Sequence, residues 1–188
     1  MQNLSFLKEA LANSTHNVVL IEVSQKHLKE SITYCVNDLL MEKELSLVLV
    51  SASQESHHLF ETIKQEKNLF IIDTASTGLE NTKNIFYTNS PSDLTKIQIG
   101  IEKFFEQING NKAILFDSLN SLSIQSDKRN VEKFFYLFNN KAKLDDTTVV
   151  ILTAKESIDE DVLDTIKQFC DKNYDYSDLF VSSIELKE

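Results

Sequence analysis

Two residues sit where this sequence could do chemistry: Lys29, in the stretch that joins an apolar strand to a helix, and Asp117, at the end of another apolar strand. The first stretch reads Glu22-Val23-Ser24-Gln25-Lys26-His27-Leu28-Lys29-Glu30-Ser31. A turn that cradles polyphosphate between a strand and a helix reads G-x-x-x-x-G-K-[ST]. On that frame Val23 and Leu28 take the glycine positions, Lys29 the lysine and Glu30 the hydroxyl. Sliding the frame by a residue repairs nothing, because no glycine precedes Gly78. Such a loop wraps phosphates with successive backbone N–H groups, in conformations that side chains obstruct. Branched Val23 and Leu28 would fill the phosphates' space. Glu30 would set a carboxylate beside an anionic ligand, although a carboxylate can itself ligate Mg²⁺. Lys26 and Lys29 leave the residual anion affinity of a helix N-terminus.

Ala113-Ile114-Leu115-Phe116-Asp117-Ser118 is an apolar strand ending in an acid, the element that orients Mg²⁺ and water in nucleotide hydrolases. Asp117 could equally cap the next segment, Ser118-Leu119-Asn120-Ser121, and capping is the simpler reading. Asp73 after Phe70-Ile71-Ile72 repeats the pattern and is also read as structural. Glu55 is the nearest candidate for a catalytic glutamate after the second strand, and a first-turn acid on a helix capped by Ser53 accounts for it. His57 and His58 are adjacent, so they cannot share a helix face as an i, i+4 metal pair does, and no Cys/His cluster completes a zinc set. Ser, His and Asp all occur, but the nucleophile-elbow pattern G-x-S-x-G does not.

The elements that would position these residues follow from periodicity. Apolar runs of strand length, Val18–Ile21, Leu45–Val50, Leu69–Ile72, Ile85–Tyr87, Ala113–Phe116 and Thr148–Leu152, alternate with segments of helical period. This predicts βα units and an α/β fold with a mainly parallel central sheet covered by helices on both faces. In particular, Val18–Ile21, Ala113–Phe116 and Thr148–Leu152 should be parallel neighbours. The alternating piece Leu179–Leu186 predicts an edge strand. Helical stripes run through Leu28, Ile32, Cys35, Val36 and Leu39, through Leu59, Phe60 and Ile63, and through Leu94, Ile97, Ile101, Phe104, Phe105 and Ile108. A fourth holds Val131, Phe134, Phe135 and Phe138, and a fifth Val162, Leu163, Ile166, Phe169 and Cys170. Ser90-Pro91-Ser92-Asp93 opens the third, and Ser157-Ile158-Asp159-Glu160 fits a capping box before the last.

The 188 residues fit a single domain, 1–188, with 41% hydrophobic and 26% charged residues. Three glycines and one proline leave no flexible linker. Against 29 acids stand 19 bases, and the resulting charge of −10 repels a phosphate backbone, so nucleic acid is a poor partner. The densest cationic stretch, Lys141-Ala142-Lys143, is followed at once by Asp145 and Asp146. Cys35 and Cys170 lie on apolar helix faces and are read as core. The first residues lack a basic region followed by a long apolar run, and no segment reaches the ~18 apolar residues of a membrane span. A cytoplasmic location without membrane contact is expected.

In order and spacing, several words resemble the RecA/KaiC-like family, in particular small archaeal relatives with degenerate phosphate loops. They are Asn17–Glu22 entering the altered loop, Phe70–Ser76, Asn89–Thr95, Phe116–Leu122 and Gln168–Lys172, and the resemblance covers most of the chain, from about residue 15 to about 176. The resemblance implies a central parallel sheet between helices, with Asp117 at the position of the Mg²⁺-orienting acid and Lys29 as the remnant of the loop lysine. Active members bind ATP between subunits. This chain departs from them at both glycines and at the hydroxyl, so no bound cofactor and no ATPase activity are expected. The leading expectation is a catalytically degenerate regulatory or scaffolding module, in signalling, that binds a protein partner, either an active RecA-like relative or itself. One alternative is an ATP-binding protein or weak ATPase using Lys29 and Asp117. Another is a recombination accessory protein, which the net charge opposes.

Overall fold

The computed structural model describes residues 5–12, 14–15, 17–53 and 66–178. Strands β1 (Val18–Val23), β2 (Ser46–Ser51), β3 (Leu69–Asp73), β4 (Ile85–Tyr87), β5 (Lys112–Phe116), β6 (Thr148–Ala154) and β7 (Lys172–Asp175) form one sheet in the order β4-β3-β2-β5-β6-β1-β7. Every pairing is parallel. The six expected strands are present, and β1, β6 and β5 are consecutive neighbours in register. Parallel strands covered on both faces need apolar residues at every position, which is why continuous apolar runs gave them away. β7, Lys-Asn-Tyr-Asp, lies at the sheet's edge, is mostly exposed, and carries no such signal. The expected edge strand Leu179–Leu186 and the stripe through Leu59, Phe60 and Ile63 lie outside the described residues.

Side chains alternate between two cores, as the period of two requires. Val18, Leu20, Val48, Val50, Ile114, Phe116, Val149 and Ile151 face one core, with α3 (Leu94–Phe105), α4 (Leu119–Ile124), α5 (Lys128–Leu144) and α6 (Glu160–Lys167). Val19, Ile21, Val23, Leu47, Leu49, Leu115, Val150 and Leu152 face the other, with α1 (Ser5–Ala12) and α2 (Leu28–Asn37). The aromatic stripe of α5 closes the first core: Phe134, Phe135 and Phe138 meet Phe116 edge-on at 6.1, 5.1 and 5.2 Å. Such geometry sets the positive ring edge against the negative face. A helical glycine lets α3 lie close to the sheet. A Cβ on Gly100 would come within 2.9 Å of Phe86 Cδ1 and 3.2 Å of Ile72 Cδ1. Cys35 is buried in the second core and burial pushes its thiol up; Cys170 packs at the margin of the first, its thiol raised by burial to about 12.

The helix starts differ in detail from their sequence signals. Asp93 caps α3 by accepting from Lys96 N–H at 3.0 Å. Before α6 the capping box does not form: Lys155–Ser157 make a 3₁₀ turn, and Asp159 caps by accepting from the N–H groups of Asp161 and Val162 at 3.0 and 3.3 Å. A carboxylate bonded to two first-turn amides outcompetes a serine two residues upstream, and Lys128 at 3.2 Å adds to this. Asp159→Ala is therefore expected to lower the chemical-denaturation midpoint measurably, through loss of the N-cap. Ser157→Ala should cost under about 0.5 kcal/mol, as at an ordinary surface position.

Candidate functional site

In an open parallel sheet, ligands bind beyond the carboxyl ends of the strands, where neighbouring strands send their connections in opposite directions. Here that point lies between β2, which leads outward to β3, and β5, which leads the other way to β6. Asp117, one residue past β5, is fully buried there. Its N–H donates to Val50 C=O at 3.2 Å, extending the β2–β5 ladder by one step. Its carboxylate crosses to the end of β2: Oδ1 accepts from Ala52 N–H at 2.8 Å, and Oδ2 from Ser53 N–H at 3.2 Å and Ser53 Oγ at 2.9 Å. The capping role expected of Asp117 falls instead to Ser118, whose Oγ accepts from Ser121 N–H at 3.2 Å. An acid flanked by a serine leaves two candidate caps, and the residue in extended conformation beside α4 takes the position.

Asn120, on α4, does the corresponding work at the end of β6. Its Oδ1 accepts from Ala154 N–H at 2.8 Å and Thr153 Oγ1 at 2.9 Å, and its Nδ2 donates to Ala154 C=O at 2.7 Å. Sequence reasoning passed over it; the available signal was a carboxamide between the apolar Leu119 and Leu122. Asp73, at the end of β3, accepts from the N–H groups of Ala75 and Ser76 at 2.9 Å each, the structural turn expected of it.

At the end of β1 the chain enters α2 through Ser24 and a 3₁₀ turn, Gln25–His27. An anion-binding nest requires a left-handed residue next to a right-handed one. The residues with positive φ among those described are Glu44, Gly78, Asn89, Gly110 and Asp146, none of them in this turn. Val23 is 0% and Leu28 2% exposed, both packed in the second core, whereas Lys26, Lys29 and Glu30 are exposed. The first amide of the turn, Gln25 N–H, donates to Glu156 Oε2 at 3.2 Å, so a carboxylate of the chain itself occupies the positive end of the turn. Lys29 and Asp117 are not brought together, since β6 lies between the strands that lead to them. Glu22, one residue before the end of β1, is buried and paired with Lys167 at 2.8 Å, while Lys155 pairs with Asp175 beside it. Glu55, His57 and His58 lie outside the described residues. Among the described residues no group of three or more His, Cys, Asp or Glu side chains could hold a metal ion, and no helix is long and apolar enough to cross a membrane.

Solved structures share this architecture. A KaiC-like protein of the hyperthermophilic archaeon Pyrococcus horikoshii OT3 superposes with a TM-score of 0.55 at 17% identity, over 74% of this chain and 62% of that one. The chain thus spans less than two thirds of that protein's length. A second Pyrococcus horikoshii OT3 protein gives 0.58 at 13% identity, over 92% of this chain and 88% of its own. The flagellar accessory protein FlaH of Methanocaldococcus jannaschii gives 0.55 at 15%, over 92% and 78%. The fold is RecA/KaiC-like. No curated protein matches the sequence. Residues 26–173, from the 3₁₀ turn before α2 to β7, match a group described as a family of unknown function (DUF7504), and the chain belongs to that family.

Proposed function

We propose that this protein is a catalytically degenerate RecA/KaiC-like domain that acts in the cytoplasm as a regulatory or scaffolding module in signalling, binding a protein partner. The observation that carries the reading is the use of Asp117. Its carboxylate accepts from three donors at the end of β2, leaving little of its acceptor capacity for a Mg²⁺ ion. The β1–α2 turn agrees: the residues present fit a nucleotide poorly, because Val23 and Leu28 are committed to the core and Gln25 N–H to Glu156. What remains is an intact sheet and two cores, a rigid platform with its chemistry absorbed into structure. That one structural neighbour is named a flagellar accessory protein accords with an accessory role.

One observation favours an ATP-binding alternative: Lys29 is exposed on the first turn of α2, where an ammonium can meet an anion. The purified protein is expected to show neither phosphate release with ATP and Mg²⁺ nor an ATP-dependent rise in melting temperature. Binding at a hundredfold excess over Kd would add about 2.7 kcal/mol and be plainly visible. A rise abolished by Lys29→Ala, a surface change that spares the core, would establish the alternative. The partner reading is tested by isolating the native complex. A stoichiometric complex with a RecA-like protein, or a defined self-assembly, supports it; a monomer free of partners under native conditions removes it.

A further inference from the structure

The four residues Lys67-Asn68-Leu69-Phe70 are echoed by Lys83-Asn84-Ile85-Phe86, and each set begins one of two neighbouring strands. β3 and β4 are parallel, with Ile71 paired to Ile85 and Ile71 N–H donating to Asn84 C=O at 2.8 Å. Both Lys-Asn pairs therefore lie on the amino-terminal edge of the sheet, opposite Asp117. With Ser46 at the start of β2, and Gln107 and Asn109 beyond α3, they line a cleft of about 550 Å³. That is within the ~300–1,000 Å³ of small-molecule sites.

The lining has a definite chemistry. It offers two ammonium groups, four primary amides and a serine hydroxyl, with Phe70 and Ile108 as its apolar part. Among the described residues no carboxylate lines it, in a chain with 29 acids and a charge of −10. Some lysines elsewhere, such as Lys96, Lys128, Lys141 and Lys167, are paired with carboxylates, whereas others, such as Lys26, Lys29 and Lys133, are not paired among the described residues. Lys67 and Lys83 have no such partner among the described residues, and the side-chain amides of Asn68, Asn84 and Asn109 make no hydrogen bond there. Two unneutralised cations suit a dianion, and a phosphomonoester carries about −1.5 to −2 at neutral pH. Amides both donate and accept, as sugar hydroxyls do. We propose that this cleft binds a small phosphorylated sugar or polyol. The inference is independent of what occupies the opposite edge of the sheet.

The test is calorimetric titration of the whole chain with hexose and triose phosphates, glucose 6-phosphate and glycerol 3-phosphate among them, beside glucose and inorganic phosphate. At least one sugar phosphate should bind more tightly than either glucose or phosphate alone. Lys67→Gln/Lys83→Gln should weaken it by about tenfold or more, the worth of one charge-assisted hydrogen bond, with the melting temperature unchanged. Asn68→Ala/Asn84→Ala should weaken the sugar phosphate while leaving inorganic phosphate unaffected. No binding up to about 10 mM, above the usual range for metabolite sites, would overturn the proposal. So would binding that the lysine pair does not alter, or inorganic phosphate binding as tightly as its sugar esters. Binding of an acidic peptide or RNA in preference to every sugar phosphate, lost in the lysine variant, would assign the cleft to a macromolecule and overturn the class proposed.

Discussion

The variant carrying Val23→Gly, Leu28→Gly and Glu30→Thr, which recreates a phosphate-loop sequence around Lys29, is expected to lose most of its fold without gaining a nucleotide. Val23 closes β1 and Leu28 opens α2, and both are packed in the core shared with α1 and α2. Removing such side chains costs about 2–5 kcal/mol apiece where the surroundings cannot collapse. Each glycine adds about 1 kcal/mol in backbone entropy. The sum reaches the ~5–15 kcal/mol that holds a typical domain together. In thermal melts followed by circular dichroism, the variant should show a transition lowered by about 10 °C or more, or none, with ATP and Mg²⁺ making no difference. Glu30→Thr alone, on the exposed face of α2, should stay within about 0.5 kcal/mol of the parent. A cooperative melt near the parent's, raised by nucleotide, would mean that the loop alone had decayed around an intact pocket.

The same two residues show why the sequence was informative about the fold and less so about the site. Val23 and Leu28 announced themselves because a core position on a parallel strand or helix must be apolar, and they stood where glycines belong in a phosphate loop. Five of the six strands foreseen are those whose burial on both faces left a continuous apolar run; the sixth, β4, is a half-buried edge strand whose three residues, Ile85, Phe86 and Tyr87, still form an apolar run. β7 escaped because an edge strand of Lys172, Asn173, Tyr174 and Asp175 is solvated and looks like a loop. The site depends on long-range pairings that periodicity does not encode. Asp117 reaches Ser53 across 64 residues, Asn120 reaches Ala154 across 34, and Glu156 reaches Gln25 across 131. Local pattern placed Asp117 at a strand end and allowed either a cap or a metal-orienting acid, whereas its partners on β2 come from the strand order. Asp159 prevailed over Ser157 for a related reason: the capping box names a spacing, and the backbone geometry of residues 155–157 decides which residue stands at the boundary.

Asp117→Ala is expected to destabilise the protein by about 3–5 kcal/mol, the cost of breaking a buried charged hydrogen-bond network from one side. The substitution strips the acceptors from Ala52 N–H, Ser53 N–H and Ser53 Oγ at a fully buried position, and it unties β2 from β5 beyond the last rung of their ladder. Ser53→Ala removes one donor of the three and leaves the carboxylate its amides, so about 1 kcal/mol is expected there. Asp117→Asn keeps one acceptor but turns an NH₂ toward a donor, and should fall between the two. For a chain of this length 3–5 kcal/mol corresponds to roughly 10 °C in melting temperature. Amide hydrogen exchange at Ala52 and Ser53 should accelerate in Asp117→Ala before the rest of the sheet is affected. A carboxylate held free for Mg²⁺ behaves in the opposite way. Its removal leaves stability unchanged or raises it, because an unpaired buried charge is relieved, and the loss appears in metal-dependent activity alone. The two accounts of Asp117 thus differ in sign, and one melting curve of Asp117→Ala, measured without nucleotide or metal, distinguishes a staple across the switch point from a metal-orienting acid.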